Sequence, residues 1–337
     1  METLIYDKLD NHAVKCHVCN HFCIIQDGKR GRCRVRENSG GKLTTLVYPK
    51  VIAKSVDPIE KKPLFHVKPG SYSYSIATAG CNFQCSFCQN ARIAQVPKNY
   101  PGCRLKGEDM LPETIIKEAV KRGCETVSYT YTEPTVFCEL AMETAKLARE
   151  EGLLNIFVTN GYMSPRLLEM AAPLLEAANV DLKAFNDTFY KRYCRARLDP
   201  VKETIKKMKT AGIVVEITTL LIPGLNDDPS EIDAMARFIA SDVGKETPWH
   251  ISRFHPCHKM RDKPPTSLSS LERVYTAGKA AGLDYVYVGN VPGQTLENTY
   301  CHSCGELLIE RCAYRIENHL KEKSKCPACH SIVYGIY

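Results

Sequence analysis

The sequence predicts an α/β protein, a partial and open (β/α) barrel with a small cysteine-bearing module at each end. Three observations predict it. Between about residues 70 and 290, short β-rich runs alternate with amphipathic helical stretches, which implies a parallel sheet. Seven such runs are one short of the eight that close a barrel. The chemically unusual residues collect where those runs end, the face on which barrels of this kind carry their active sites.

Taken in order, strands are expected at residues 72–78, 126–131, 156–159, 180–183, 213–221, 250–254 and 285–288. Helices are expected at 112–122, 135–150, 164–177, 201–211, 229–241 and 268–281, where apolar residues recur with a 3.6-residue period. Several start at a proline or a Ser-Pro pair and stop at Gly123, Gly152, Gly212 or Gly282. Proline has no N–H to leave unpaired in a first turn, and glycine tolerates the left-handed stop. The first strand runs into a cysteine loop, the second into Glu133-Pro134, the third into Asn160-Gly161, and the fourth holds Asp181 and Lys183. The fifth ends in Pro223-Gly224, the sixth in Arg253-Phe254-His255 and the seventh in Gly289-Asn290. The chain divides into an N-terminal module (1–66), the barrel (67–296) and a C-terminal module (297–337). Neither end is large enough to build a core from its own apolar residues, the usual reason for a metal staple.

Composition narrows the function classes. Of 337 residues, 44% are hydrophobic and 25% charged, an ordinary globular balance. The first ten residues carry neither a basic nor an apolar leader pattern, and no apolar run reaches membrane-spanning length. A cytoplasmic protein without a membrane partner is expected. Seventeen cysteines, an odd number, argue against a disulfide framework. Eleven fall into three tight groups, as metal ligands do. The other six (Cys103, Cys124, Cys138, Cys194, Cys257 and Cys312) read as small buried apolar residues. The formal charge of +7 counts every thiol as neutral. Metal-bound thiolates would bring it to roughly +2, which argues against a nucleic-acid partner.

The central group is Gly80-Cys-Asn-Phe-Gln-Cys-Ser-Phe-Cys-Gln89. Cys81, Cys85 and Cys88 leave a four-iron cluster one protein ligand short, and an open iron site is where chemistry happens. Structural zinc, the alternative, usually draws its ligands from paired knuckles. The C-terminal group supplies such a pair, Cys301 and Cys304, then Cys326 and Cys329 after twenty-one residues. A zinc ribbon is expected there, with mononuclear iron as the alternative because the Cys-Pro-x-Cys knuckle resembles rubredoxin. The N-terminal group is Cys16, Cys19, Cys23 and Cys33. Its spacing fits zinc or an auxiliary iron–sulfur cluster equally.

The 81–88 spacing on a glycine-led loop resembles the signature of radical S-adenosylmethionine (SAM) enzymes. SAM carries an amine, a carboxylate, a ribose and a sulfonium. Glu133 suits the amine, Lys183 the carboxylate, and Asn160 or Asp181 the ribose hydroxyls. Tyr131 is the strand-end tyrosine placed to face a substrate. His250 and His258 with Cys257 close no ligand set, because His250 alternates with core positions of its strand.

More narrowly, the chain resembles the radical SAM component of the AmmeMemoRadiSam system, in the pyruvate formate-lyase activating-enzyme-like group. The resemblance rests on Asp57-Pro-Ile-Glu-Lys-Lys-Pro-Leu64, the cysteine loop, Tyr129-Thr-Tyr-Thr-Glu-Pro-Thr135, Val158-Thr-Asn-Gly161, Asp181-Leu-Lys183, Leu221-Ile-Pro-Gly224, His250-Ile-Ser-Arg-Phe-His255, Tyr285-Val-Tyr-Val-Gly-Asn290 and Asn298-Thr-Tyr-Cys-His-Ser-Cys304. It implies a TIM-like barrel of the radical SAM type and a [4Fe-4S] cluster on Cys81, Cys85 and Cys88 that SAM chelates. It also implies reductive cleavage to a 5′-deoxyadenosyl radical and hydrogen abstraction from a peptide, protein or small molecule. By the same resemblance Asp181 and Lys183 match a SAM-site motif and His255 a histidine near the cofactor. A ferredoxin- or flavodoxin-type electron donor and Memo-like and Ammecr-like partner proteins are implied as well. Many radical SAM enzymes carry Gly-Gly-Glu where this chain has Tyr131-Thr132-Glu133. The alternatives are a glycyl-radical-enzyme activase and an RNA-modifying or RNA-binding protein with zinc modules.

Overall fold

The computed structural model describes residues 1–99, 105–291, 295–312, 315–320 and 324–337; Cys103 lies outside them. Its centre is an eight-stranded, mostly parallel sheet. Strand β1 (Ala53–Pro58) lies antiparallel to β2 (Tyr72–Ala77), and six more follow in parallel: β3 (Thr126–Tyr129), β4 (Leu154–Thr159), β5 (Ala177–Asp181), β6 (Val214–Leu221), β7 (Trp249–Arg253) and β8 (Val286–Gly289). Spatial order follows chain order from β8 to β1. The seven parallel strands are those the alternation predicts. The added strand β1 comes from the segment assigned by sequence to the N-terminal module.

The crossovers are helices α1 (Pro112–Lys121), α2 (Cys138–Glu150), α3 (Pro165–Ala171), α4 (Asp199–Thr210), α5 (Pro229–Arg237) and α6 (Leu268–Ala280). Side-chain caps fix their starts: Ser164 accepts from Leu167 N, Asp228 from Ser230 N and Glu231 N, and Ser267 from Ser270 N. Each turns its apolar stripe to the sheet; α1 buries Ile115, Ile116 and Ala119. Full burial of one isoleucine stabilises by about 1.5–3 kcal/mol. Helix α3 stops at Ala171, six residues before the expected end, because Pro173 cannot continue it. The freed residues start β5 at Ala177, three positions earlier than the apolar pattern suggests.

The base of the barrel is closed by charge. Glu216 on β6 accepts from Phe65 N (3.0 Å), His66 N (2.8 Å) and His250 Nε2 (2.6 Å). Burial pushes its pKa up, but His250 and His66 outweigh that and hold it below the ordinary value. Arg311 of the C-terminal module donates to Phe65 O at 2.7 Å, and Ile336 N donates to His66 O at 2.8 Å. The C-terminal sheet (Thr299–Tyr300, Leu307–Cys312, Arg315–Asn318) is thereby tied beneath the barrel.

The N-terminal module sits at the opposite, carboxyl end of the strands. Asn20 N donates to Tyr162 O (3.0 Å) and Ser164 N to Val18 O (3.2 Å), so it leans on the loop after β4. A buried ion pair pins it from the side, Arg36 binding both carboxylate oxygens of Glu139 on α2 at 2.7 and 2.8 Å.

Candidate functional site

A cavity of 510 Å³ opens at the carboxyl ends of the strands, a size that suits a cofactor. Cys81, Cys85 and Cys88 line one end, and Asn160, Asp181 and Lys183 share the same space. The cysteine loop is held by backbone bonds on both sides: Gln84 N donates to Cys194 O and Ser86 N to Tyr193 O, both 2.9 Å, and Lys259 N donates to Ser86 O at 3.0 Å. Gly80 lets the loop leave the sheet. Its φ is +99°, and a Cβ there would stand 2.5 Å from Val35 Cγ1.

The sulfurs face hydrogen-bond donors. Phe83 N reaches Cys81 Sγ at 3.3 Å and Asn160 Nδ2 reaches it at 3.7 Å. The buried Cys194, read from sequence as simple packing, also hydrogen-bonds Cys85; that bond, with burial, pushes the Cys85 thiol well up. Burial pushes Cys88 to about 11. A cationic metal would reverse that balance by holding the thiolates.

Lys183 and Asp181 form an ion pair at 2.7 Å on the cavity wall. Burial opposes the lysine's charge, but Asp181 and the Cys85 and Cys194 sulfurs together hold its pKa well above the usual value. Backbone bonds fix the lysine: its N–H donates to Tyr190 Oη (3.0 Å) and its carbonyl accepts from Asn226 Nδ2 (2.7 Å).

Two residues proposed from sequence lie elsewhere. Glu133 is fully buried and does not line the cavity. Its carboxylate accepts from Thr135 N (3.1 Å), Thr135 Oγ1 (2.5 Å), Thr159 Oγ1 (2.7 Å) and Asn160 N (2.8 Å). It therefore braces the Thr159-Asn160 wall from behind. His255 is exposed and outside the cavity lining, two residues past the end of β7, while Phe254 before it is buried.

The structure also brings in residues that the strand ends do not announce. After β1 the chain folds into the barrel, where Lys61, Lys62 and Pro63 form a wall of the cavity, and Asn179 Nδ2 holds Pro63 O at 2.7 Å. Lys62 Nζ, almost wholly buried, lies 2.6 Å from Asp57 Oδ2 and 4.7 Å from the centre of the Tyr131 ring. Burial lowers the Lys62 pKa to about 8 in spite of Asp57. Tyr131 donates its hydroxyl to Asp57, and burial with that bond raises its pKa to about 12. Tyr131 is singled out by sequence as the strand-end tyrosine placed to face a substrate; for Asp57, Lys61 and Lys62 the only sequence signal is the Asp57–Leu64 motif, which carries no stated role.

The donor set fits a cluster and a polar cofactor. Three thiols at one end meet the ligand chemistry of iron. Buried Gln95 Oε1 and Thr218 Oγ1, both on lining residues, have no protein partner and are available to a ligand. At the far end of the molecule the Cys301, Cys304, Cys326 and Cys329 sulfurs all lie within 4.8 Å of one another, a compact four-thiol set able to hold a metal ion.

Comparison with known proteins agrees with this reading. A family model described as the radical SAM superfamily matches residues 75–239. An uncharacterized protein of Methanocaldococcus jannaschii is 45% identical over 330 residues, covering 97% of both chains. A protein of the same organism named as a glycyl-radical enzyme activating enzyme is 26% identical over 171 residues, 50% of this chain and 62% of its own. Among solved structures, a radical SAM methyltransferase from Sphaerobacter thermophilus superposes with a TM-score of 0.51 at 16% identity, covering 66% of this chain and 67% of that one, and shares the fold.

Proposed function

We propose that this chain, an enzyme whose residues 75–239 match the radical SAM superfamily, cleaves SAM reductively and abstracts hydrogen from a substrate. The observation that carries the proposal is the gathering of three thiols and the Asn160, Asp181 and Lys183 side chains in one cavity. The family implies a [4Fe-4S] cluster and SAM, which when bound supply one-electron cleavage of a sulfonium C–S bond and a 5′-deoxyadenosyl radical.

The residues divide that work. Cys81, Cys85 and Cys88 would hold three irons and leave the fourth to SAM. Donors from Phe83 N and Asn160 Nδ2 stabilise negative charge on Cys81 sulfur. Lys183, charged and held in place by its neighbours, suits the carboxylate of SAM, with Asp181 and Asn160 serving its hydroxyl and amine donors. Phe87, Ala94 and Leu220 make part of the wall apolar and exclude water. Lys62 and Tyr131 form a polar wall that suits a substrate with hydrogen-bond acceptors.

The finer assignment, to the AmmeMemoRadiSam group with Memo-like and Ammecr-like partners and a ferredoxin- or flavodoxin-type donor, rests on the motifs quoted above. A cytoplasmic location is proposed with it. Among the described residues no helix is long and apolar enough to cross a membrane. Structural zinc is proposed for the C-terminal set, whose compact sulfurs suit one tetrahedral ion.

The test is anaerobic reconstitution with iron and sulfide, then dithionite and SAM, with 5′-deoxyadenosine measured by chromatography. Product is expected from the wild type and none from Cys85→Ala. Full cluster loading without product would overturn the proposal.

A further inference from the structure

A second group of thiols stands directly behind the cysteine loop, and its spread separates two metal chemistries. A tetrahedral zinc or iron ion, with metal–sulfur bonds of about 2.3 Å, sets its four sulfurs about 3.8 Å apart. The C-terminal set has that compactness, with Cys301–Cys329 and Cys304–Cys326 both at 3.6 Å. Among the described residues it is the only group with three or more ligand atoms all within 4.8 Å of one another. Cys16, Cys19, Cys23 and Cys33 are more widely spread, with no three of their sulfurs all within 4.8 Å of one another, yet they are neighbours in one small module: Cys16 N donates to Cys23 O at 2.9 Å and Phe22 N to Cys19 O at 3.1 Å. Cys81, Cys85 and Cys88 fall outside the compact group in the same way. A polynuclear cluster asks for this wider spacing, because each thiolate binds a different iron.

Position adds a second argument. Cys33 O lies 3.4 Å from where a Cβ on Gly80 would stand, and His21 Nε2 is 3.0 Å from Asn82 O. Residues beside the N-terminal thiols thus touch the residues on either side of Cys81. Exposed Arg32 and Arg34 flank Cys33 on the solvent side, as suits an acidic donor protein.

We infer that Cys16, Cys19, Cys23 and Cys33 hold a second iron–sulfur cluster, packed against the loop that carries the first. It exchanges one electron with the Cys81 site. A ferredoxin- or flavodoxin-type donor is oxidised by one electron, the Cys81-bound cluster is reduced by one, and no bond is made or broken. The identity of the cluster stands on thiol geometry alone; its place in electron delivery rests on the radical SAM reading.

The test uses the full chain with Cys81, Cys85 and Cys88 all changed to alanine, reconstituted anaerobically with ferrous iron and sulfide. About four iron and four sulfide per chain are expected to remain, with a paramagnetic signal after dithionite. Zinc in place of iron and sulfide would overturn the inference. The complementary variant, Cys16→Ala with Cys19→Ala, is expected to hold about half the iron of the wild type; an unchanged iron count would overturn it too. In the reduced wild type the two signals should broaden each other, and a spectrum equal to the sum of the two variants' spectra would overturn the close placement. Failure of the wild type to form 5′-deoxyadenosine would count against the radical SAM reading and leave the iron counts as the measure of this one.

Discussion

Replacing Arg36 with methionine removes one half of the ion pair that docks the N-terminal module on α2. Arg36 and Glu139 are 2% and 1% exposed, and the guanidinium meets both carboxylate oxygens. It also donates to Thr3 Oγ1 at 2.7 Å. Breaking a buried pair from one side leaves the other charge without a partner and costs about 3–5 kcal/mol. Replacing both, as Arg36→Met with Glu139→Leu, removes that stranded charge and is expected to recover most of the loss. The pH dependence follows from the direction of Glu139's shift. Burial pushes its pKa up, but Arg36 outweighs burial and holds it below the ordinary value. In the wild type its contribution is therefore present above the unfolded pKa of about 4.3 and lost as pH falls through the folded one. In Arg36→Met burial is opposed only by backbone N–H bonds such as that from Leu4, the folded pKa rises above about 4.3, and acidification relieves the variant. The difference between the two proteins must shrink as pH falls. Urea unfolding followed by fluorescence of Trp249, the single and fully buried tryptophan, reads it. A deficit below about 1 kcal/mol at pH 7.5, or one that does not change down to pH 5, would refute the reasoning.

Gly80→Ala should lower iron at the Cys81 site by at least half in an anaerobic iron and sulfide assay, since the new Cβ meets Val35 Cγ1 at 2.5 Å on a backbone at φ +99°; adding Val35→Ala relieves the contact but not the φ, so recovery should be partial. Glu133→Gln should weaken SAM binding about three- to tenfold by equilibrium dialysis, the loss expected of a brace acting through Asn160. A loss of a hundredfold or more would place the carboxylate on the ligand instead. Lys62 loses its charge as pH rises through about 8, so substrate-dependent turnover should fall above that pH. Lys62→Met should abolish this alkaline limb; if the limb persists, another group titrates there.

Much of the site was legible because chemistry-bearing residues at strand ends have few other reasons to be there. The three cysteines, Asn160, Asp181 and Lys183 meet in one cavity from three separate strand ends. What the sequence hid was the face a residue presents. Glu133 sits at the predicted mouth, but Thr135 two residues on draws its carboxylate into the turn before α2. His255 follows a fully buried Phe254 but lies beyond the end of β7, where the chain turns it to solvent. Strand β1 escaped because its side chains are mostly half-exposed and polar, with no alternation to mark it; pairing along the whole of β2 makes it a strand. The lysines that follow it are equally opaque. Ile59, Leu64 and Val67 pack against Ile156 and Ala177, and this apolar frame carries Lys61 and Lys62 into the barrel.

Tyr131 shows how such a conflict can mark function. Its φ of +59° lies where glycine is at ease, and glycine is what many radical SAM enzymes carry near this position. A tyrosine there costs about 1–2 kcal/mol of backbone strain. Its hydroxyl donates to the ionised Asp57, a bond to a charged group that contributes about 1.5–3 kcal/mol and offsets the strain. The same bond joins the end of β3 to the end of β1. Glycine at 131 would relax the backbone but leave Asp57 with its two lysines and no tyrosine hydroxyl. The strained choice therefore has a local return. It builds a polar, charged wall in the cavity that the cysteines also line.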